Sequence, residues 1–257
     1  MQNKARIPTL LFISILILVS FGCTAQAPAP TPTSTPKPTK TAKPTKTPKP
    51  TATPRPTSTP DVEATKHADE LQAEVENYFD KGYIATTDGV FKELDDFNAE
   101  WAQLQWYRKW TYSYTVSDFF MSGHLKWSSA YRSADISGCG YVFGLQEDNE
   151  HYAVFLDRSR VYFVHTEEYY SPMSPTRGTG RVKFDNPADH PIEADFTVIV
   201  TDGHAYVLVN DEVVGEYMLS KSKKLEGQVG LALLSGTNKD FGTRCDITNL
   251  HVWHPKE

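Results

Sequence analysis

The chain has 257 residues and a formal net charge of −6, but that charge is unevenly spread. Residues 1–60 hold 8 of the 26 Lys and Arg and none of the 32 Asp and Glu, so the rest sets 18 cations against 32 acids, a net of −14. Such acidity argues against a nucleic-acid partner, which needs a basic face to displace counterions. The 197 residues from Asp61 onward suit one sandwich-sized domain.

Lys4 and Arg6 precede an apolar run over residues 10–21, which meets Gly22 and then Cys23. A charged start, a short apolar core and a small residue before the cut make a secretory signal. At about 1.5 Å per residue the run falls well short of a bilayer core of about 30 Å. Val19-Ser20-Phe21-Gly22-Cys23 resembles a bacterial lipobox, in which the Cys becomes the lipidated first residue; Ser20 and Phe21 depart from the usual pattern. The expectation is a lipoprotein signal peptide over residues 1–22, acylation of Cys23, export, and anchoring on the outer side of the cell membrane. Stable anchoring takes more than one acyl chain, which a multiply acylated N-terminal Cys supplies. The alternative is ordinary cleavage between Ala25 and Ala27 and release.

Residues 23–60 cannot build a core, having no aromatic and no large aliphatic side chain. Eleven prolines from Pro28 to Pro60 favour polyproline II. A semi-rigid spacer with a reach on the order of 100 Å follows. Its cations (Lys37, Lys40, Lys43, Lys46, Lys49 and Arg55) either lie on an anionic lipid surface or wall polymer or keep a linker soluble.

Thr59-Pro60-Asp61 reads as a helix start, and Ala68, Leu71, Val75, Tyr78 and Phe79 recur at helical spacing until Lys81-Gly82. The pattern predicts an amphipathic helix over residues 61–82 packed on a domain at 83–257. From there the chain reads as short strands. Phe119, Met121, Gly123, Leu125 and Trp127 alternate with Phe120, Ser122, His124 and Lys126. Residues 139–145, 152–156, 161–164, 228–234 and 244–253 are further β-rich runs. Residues 196–200 and 205–209 flank Asp202-Gly203, a type I′ hairpin signal, and Asn210-Asp211 turns into residues 213–218. The fold class expected is all-β, a two-sheet antiparallel jelly-roll sandwich. Cys139 and Cys245 remain once Cys23 is assigned, and two cysteines in an exported domain most simply pair; the alternative is two buried thiols.

Ser137-Gly138-Cys139-Gly140-Tyr141-Val142-Phe143-Gly144, followed by Asp148-Asn149-Glu150-His151-Tyr152, resembles the central strands of the concanavalin A-like lectin/glucanase jelly rolls. Residues 206–214 resemble the V-x-V-N-D/G-x-x-V hairpin of those folds, and residues 227–232 and 245–253 their last two strands. The likeness is to laminin-G-like and 3-keto-disaccharide hydrolase (DUF1080-like) members in particular, over about residues 111–253. It implies a fold whose members range from sugar binders to glycosidases and adhesion modules, and so leaves function open.

No catalytic residue is assigned. Glu93-Leu94-Asp95 resembles the start of a glucanase E-x-D-x-x-E strand, but Phe97 stands where the third acid belongs and the segment precedes the recognisable sandwich strands. No Gly-x-Ser-x-Gly elbow and no His or Cys metal spacing is present. Asp148-Asn149-Glu150 could hold Ca²⁺ as laminin-G-like loops do, or simply form a polar turn. The remaining functional material is aromatic: Trp101, Trp106, Tyr107, Trp110, Tyr112 and Tyr114 crowd one stretch, with Trp127, Tyr131, Tyr169 and Tyr170 beyond it. Most of these rings are expected in the core. Tyr131, Tyr169 and Tyr170, in loops, are the ligand-binding candidates, since sugar C–H faces stack on exposed rings. The sequence therefore points to a membrane-anchored, non-catalytic glycan-binding module, with an adhesion or structural module and a glycoside hydrolase as alternatives.

Overall fold

The computed structural model describes residues 62–131, 134, 136–184, 191–220 and 225–256. All belong to the unit Ser58–Glu257. The expected signal peptide, Cys23, the expected linker and the Thr59-Pro60 helix start lie outside the described residues.

Helix α1, Val62–Asp80, buries Leu71, Val75 and Tyr78, an i, i+4, i+7 stripe. Ala68 and Phe79, counted on that stripe in the sequence, are exposed instead. Both sit at the margin of a stripe that only the three central positions bring onto the sheet. The helix stops at Gly82, whose φ of 74° is open to glycine. There Gly82 N–H donates to Phe79 O and Tyr83 N–H to Tyr78 O, both at 2.9 Å, closing a Schellman motif.

The strands form two antiparallel sheets. The first runs β1 (Gly89–Glu93), β14 (Thr243–Pro255), β4 (Phe119–Ser129), β10 (Ile192–Thr201), β11 (His204–Val209), β12 (Glu212–Met218) and β9 (Arg177–Gly178), with β2 (Phe97–Trp101) also paired to β14. The second runs β3 (Trp106–Val116), β13 (Gly227–Ser235), β5 (Gly138–Leu145), β6 (His151–Leu156), β7 (Val161–Thr166) and β8 (Tyr170–Met173). This is a two-sheet jelly-roll sandwich. The hairpin read from Asp202-Gly203 is there, with both residues at positive φ between β10 and β11. Asn210 and Asp211, also at positive φ, turn β11 into β12.

The alternation read in β4 sorts its side chains. Phe119, Met121, Leu125 and Trp127 enter the core between the sheets with Tyr141, Phe143, Val154, Phe163, Phe196 and Leu231. Phe120 points the other way and meets Val75, Tyr78, Ile199, Leu208 and Trp253 beneath α1. The outer face of the eight-stranded sheet is thus closed by the helix. Cys139 on β5 and Cys245 on β14 form a disulfide with Cα atoms 6.0 Å apart, linking one sheet to the other.

Candidate functional site

The outer face of the six-stranded sheet carries its own apolar layer, Val142, Ala153, Phe155, Val164, Ala232 and Leu234, with Tyr107, Ile136 and Tyr162 packed against it. Its β5 stretch is glycine-rich because the neighbouring backbone is close: a Cβ on Gly140 would lie 2.0 Å from Val154 O. At the end of this layer, beside the edge of the inter-sheet core, a cleft of about 630 Å³ opens. Four tyrosines, Tyr107, Tyr131, Tyr162 and Tyr170, line it together with Trp127 and the β6–β7 turn.

That turn, Asp157-Arg158-Ser159-Arg160, is closed by Asp157 N–H donating to Arg160 O at 2.9 Å. The Asp157 carboxylate accepts the Arg158 amide at 2.7 Å and pairs with Arg160 Nε at 3.4 Å. Burial raises the Asp157 pKa, against the opposing pull of the Arg158 amide and the Arg160 charge. Trp127 is 1% exposed, and its indole Nε1–H has no hydrogen-bond partner among the described groups. The Arg158 guanidinium lies 5.7 Å from its ring. A buried donor left unmade costs about 1–3 kcal/mol.

Tyr107 is fixed by a directed chain. His151 Nδ1 lies 2.6 Å from Asn149 O, which can only accept, so this nitrogen carries the proton. Nε2 then accepts from the Tyr107 hydroxyl at 2.7 Å, and Thr166 Oγ1, also 2.7 Å away, donates to the Tyr107 oxygen. Burial holds the His151 pKa down, to about 4, with the Lys109 charge adding to the effect. Neutral imidazole sets this direction; an imidazolium would donate to Tyr107 and reverse it.

Of the tyrosines expected in loops, Tyr131 follows β4 in the β4–β5 connection whereas Tyr170 begins strand β8, and both line the cleft. Tyr131 is 43% exposed, with Lys239 Nζ 4.2 Å over its ring. Tyr169, 76% exposed in the β7–β8 turn, does not line it. Most of the ten aromatics were expected in the core, and six are packed there: Trp127 fully buried, Trp101, Trp110, Tyr112 and Tyr114 half-buried against the inter-sheet core, and Tyr107 against the outer layer. Asp157, Arg158, Arg160 and Tyr162 were not foreseen. The sole hint was a four-residue charged turn between two apolar runs.

The acids considered for chemistry do not converge. Glu93 ends β1, pairs with His67 at 3.3 Å and is well exposed. Its segment, taken to precede the sandwich, lies between two edge strands that both pair with β14. In the Asp148-Asn149-Glu150 turn, Asp148 caps the Glu150 amide at 3.0 Å, Asn149 accepts from Lys109 Nζ, and Glu150 meets His165 Nε2 at 3.0 Å. The set that does gather is Glu150, His165 and Glu167, with one donor atom each within 4.8 Å of the others.

No family model matches the sequence, and no curated protein matches it. Solved structures do resemble the fold. The carbohydrate-binding module CBM66 from Bacillus subtilis aligns at 14% identity over 62% of this chain and 92% of its own, with a TM-score of 0.41. A fructosyltransferase from A. japonicus aligns at 13% over 66% of this chain with a TM-score of 0.44, the match spanning only 27% of the enzyme. Sheep galectin-11 aligns at 6% over 58% of this chain and 98% of its own, with a TM-score of 0.34. At such identities the likeness reaches no further than the sandwich architecture.

Proposed function

We propose that the domain is a carbohydrate-binding module that takes a glycan in the cleft at the β6–β7 turn. The observation that carries this reading is the lining itself. Tyrosine rings and Trp127 flank a carboxylate and guanidinium groups able to bond hydroxyls. Among the described lining residues Asp157 is the one carboxylate, whereas glycoside cleavage takes two flanking the bond. The cleft is read as binding sugar without cleaving it. We further propose that Cys23 is acylated and that the Pro/Thr-rich spacer carries the module away from the membrane, where tethering raises effective concentration over the volume it can reach.

Affinity electrophoresis of the full chain through gels containing soluble polysaccharides tests the binding. Tyr131→Ala and Tyr170→Ala should each weaken retention, roughly tenfold for loss of one stacked ring. Tyr169→Ala should leave it unchanged. Silence across a broad panel would favour the adhesion module, and sugar release abolished by Asp157→Asn would make it an enzyme. Labelling with a palmitate analogue, lost in Cys23→Ala, checks the anchor.

A further inference from the structure

The cleft does not end at the β6–β7 turn. A second depression of about 630 Å³ continues from it, and Ser159, Arg160 and Tyr162 line both. Its other wall includes Arg181, Thr179 and Tyr217. Arg160 and Arg181 face each other across an isolated antiparallel bridge. Val161 N–H to Gly180 O at 2.7 Å and Val182 N–H to Ser159 O at 2.9 Å hold the two segments together. Residues directly opposite in such a pairing put their side chains on one face, Cβ atoms roughly 5 Å apart, and like charges there repel. Arg160 has Asp157 as a partner at 3.4 Å. Arg181 is exposed, and no carboxylate among the described residues pairs with it.

Two cations side by side in an otherwise acidic domain break a local pairing rule, and such breaks concentrate where a ligand supplies the compensation. Among the described residues lining the second depression, Arg160 and Arg181 are the charged ones. Screening at physiological salt acts over about 8 Å, so these local charges, and not the domain's total, set what the groove attracts. We propose that the Arg160–Arg181 pair is a subsite for an anionic group, carboxylate or sulfate, carried by a polysaccharide chain that lies through both depressions. The inference rests on the glycan reading of the cleft and adds charge and length to it. Guanidinium forks match the planar oxygens of a carboxylate or the face of a sulfate, and the shared Arg160 and Tyr162 make the two depressions one path.

The test compares matched polymers on the full chain: polygalacturonate against its methyl ester, and dextran sulfate against dextran. The charged member of at least one pair should bind roughly tenfold tighter or more, as charge-assisted contacts allow. Arg181→Gln, at an exposed position, should erase that ratio, whereas Tyr169→Ala, outside both depressions, should leave it intact. Equal binding of charged and neutral members overturns the subsite and leaves the glycan reading standing. A preference that survives in Arg181→Gln also overturns it, and assigns the selectivity elsewhere, such as to the cationic spacer. Failure to bind any polymer removes both readings together.

Discussion

Two buried histidines on opposite sheets are tuned in opposite directions, and each does so for a reason visible in its partners. His151 faces only a carbonyl and a phenol, so nothing repays the cost of burying its charge, and its pKa falls to about 4. The unfolded chain binds this proton near the ordinary value of about 6.5. Between those values the unfolded state holds more protons, so stability rises with pH across the window. The stabilisation is complete above about 6.5 and is lost as pH falls through about 4, an effect of order 3 kcal/mol. Urea unfolding at pH 7 and pH 4.5 should show this slope, and His151→Asn should flatten it. The folded chain takes up this proton only as pH falls through about 4, reversing the hydrogen bond to Tyr107, so glycan binding should hold down to about pH 5 and change only below it; a loss of affinity between about pH 6.5 and pH 5 would contradict the role given to this chain.

At the scale of elements, α1 is held to the eight-stranded sheet by apolar contact and one buried ion pair. Leu71, Val75 and Tyr78 contribute about 1.5–3 kcal/mol each on burial. Burial disfavours the His251 imidazolium, but the Glu74 carboxylate, 2.7 Å from Nε2, and the Asn249 carbonyl, 3.0 Å from Nδ1, outweigh it and raise the pKa. A raised value reverses the sign: this stability is fully present below about 6.5 and is lost as pH rises through the folded pKa. His124 is raised too, by its hydrogen bond to Asp195, but sits at the surface. Amide protection factors over residues 71–80, which remove the intrinsic base-catalysed rise, should therefore fall on the alkaline side, and His251→Gln should remove that dependence without touching the cleft, which His251 does not line. Equal protection factors at pH 6 and pH 9 would show that apolar packing alone docks the helix. The helix and the Asp202-Gly203 hairpin were legible because local pattern dictates them: a 3.6-residue stripe and two positive-φ residues. The edge strands β2, β8 and β9 were not: β8 and β9 are short and exposed and carry little alternation, and β2, though it alternates, owes its pairing to β14 far along the chain.

Across the whole molecule, the cleft and the Cys139–Cys245 disulfide occupy the same end of the sandwich. Cys139 is flanked by Gly138 and Gly140 on β5, and Cys245 pairs in register with Trp127, the floor of the cleft. The pairing of the two cysteines could be inferred from their number, whereas the cleft could not be read from sequence. Its walls come from β3, the β4–β5 loop, the β6–β7 turn and β8, and only the strand order brings Tyr107, Trp127, Asp157 and Tyr170 together. A bond joining the sheets there limits how far the floor can part from the β6–β7 wall. It also closes a separation of 106 residues, worth about 2–5 kcal/mol against the unfolded chain. The double variant Cys139→Ala, Cys245→Ala should lower the unfolding free energy by that order and weaken glycan binding, while amide exchange in α1 changes little below its global limit. If stability drops but affinity holds, the disulfide acts on the unfolded chain alone, and the preorganisation of the cleft belongs to the Tyr107–His151 chain and the Asp157 turn.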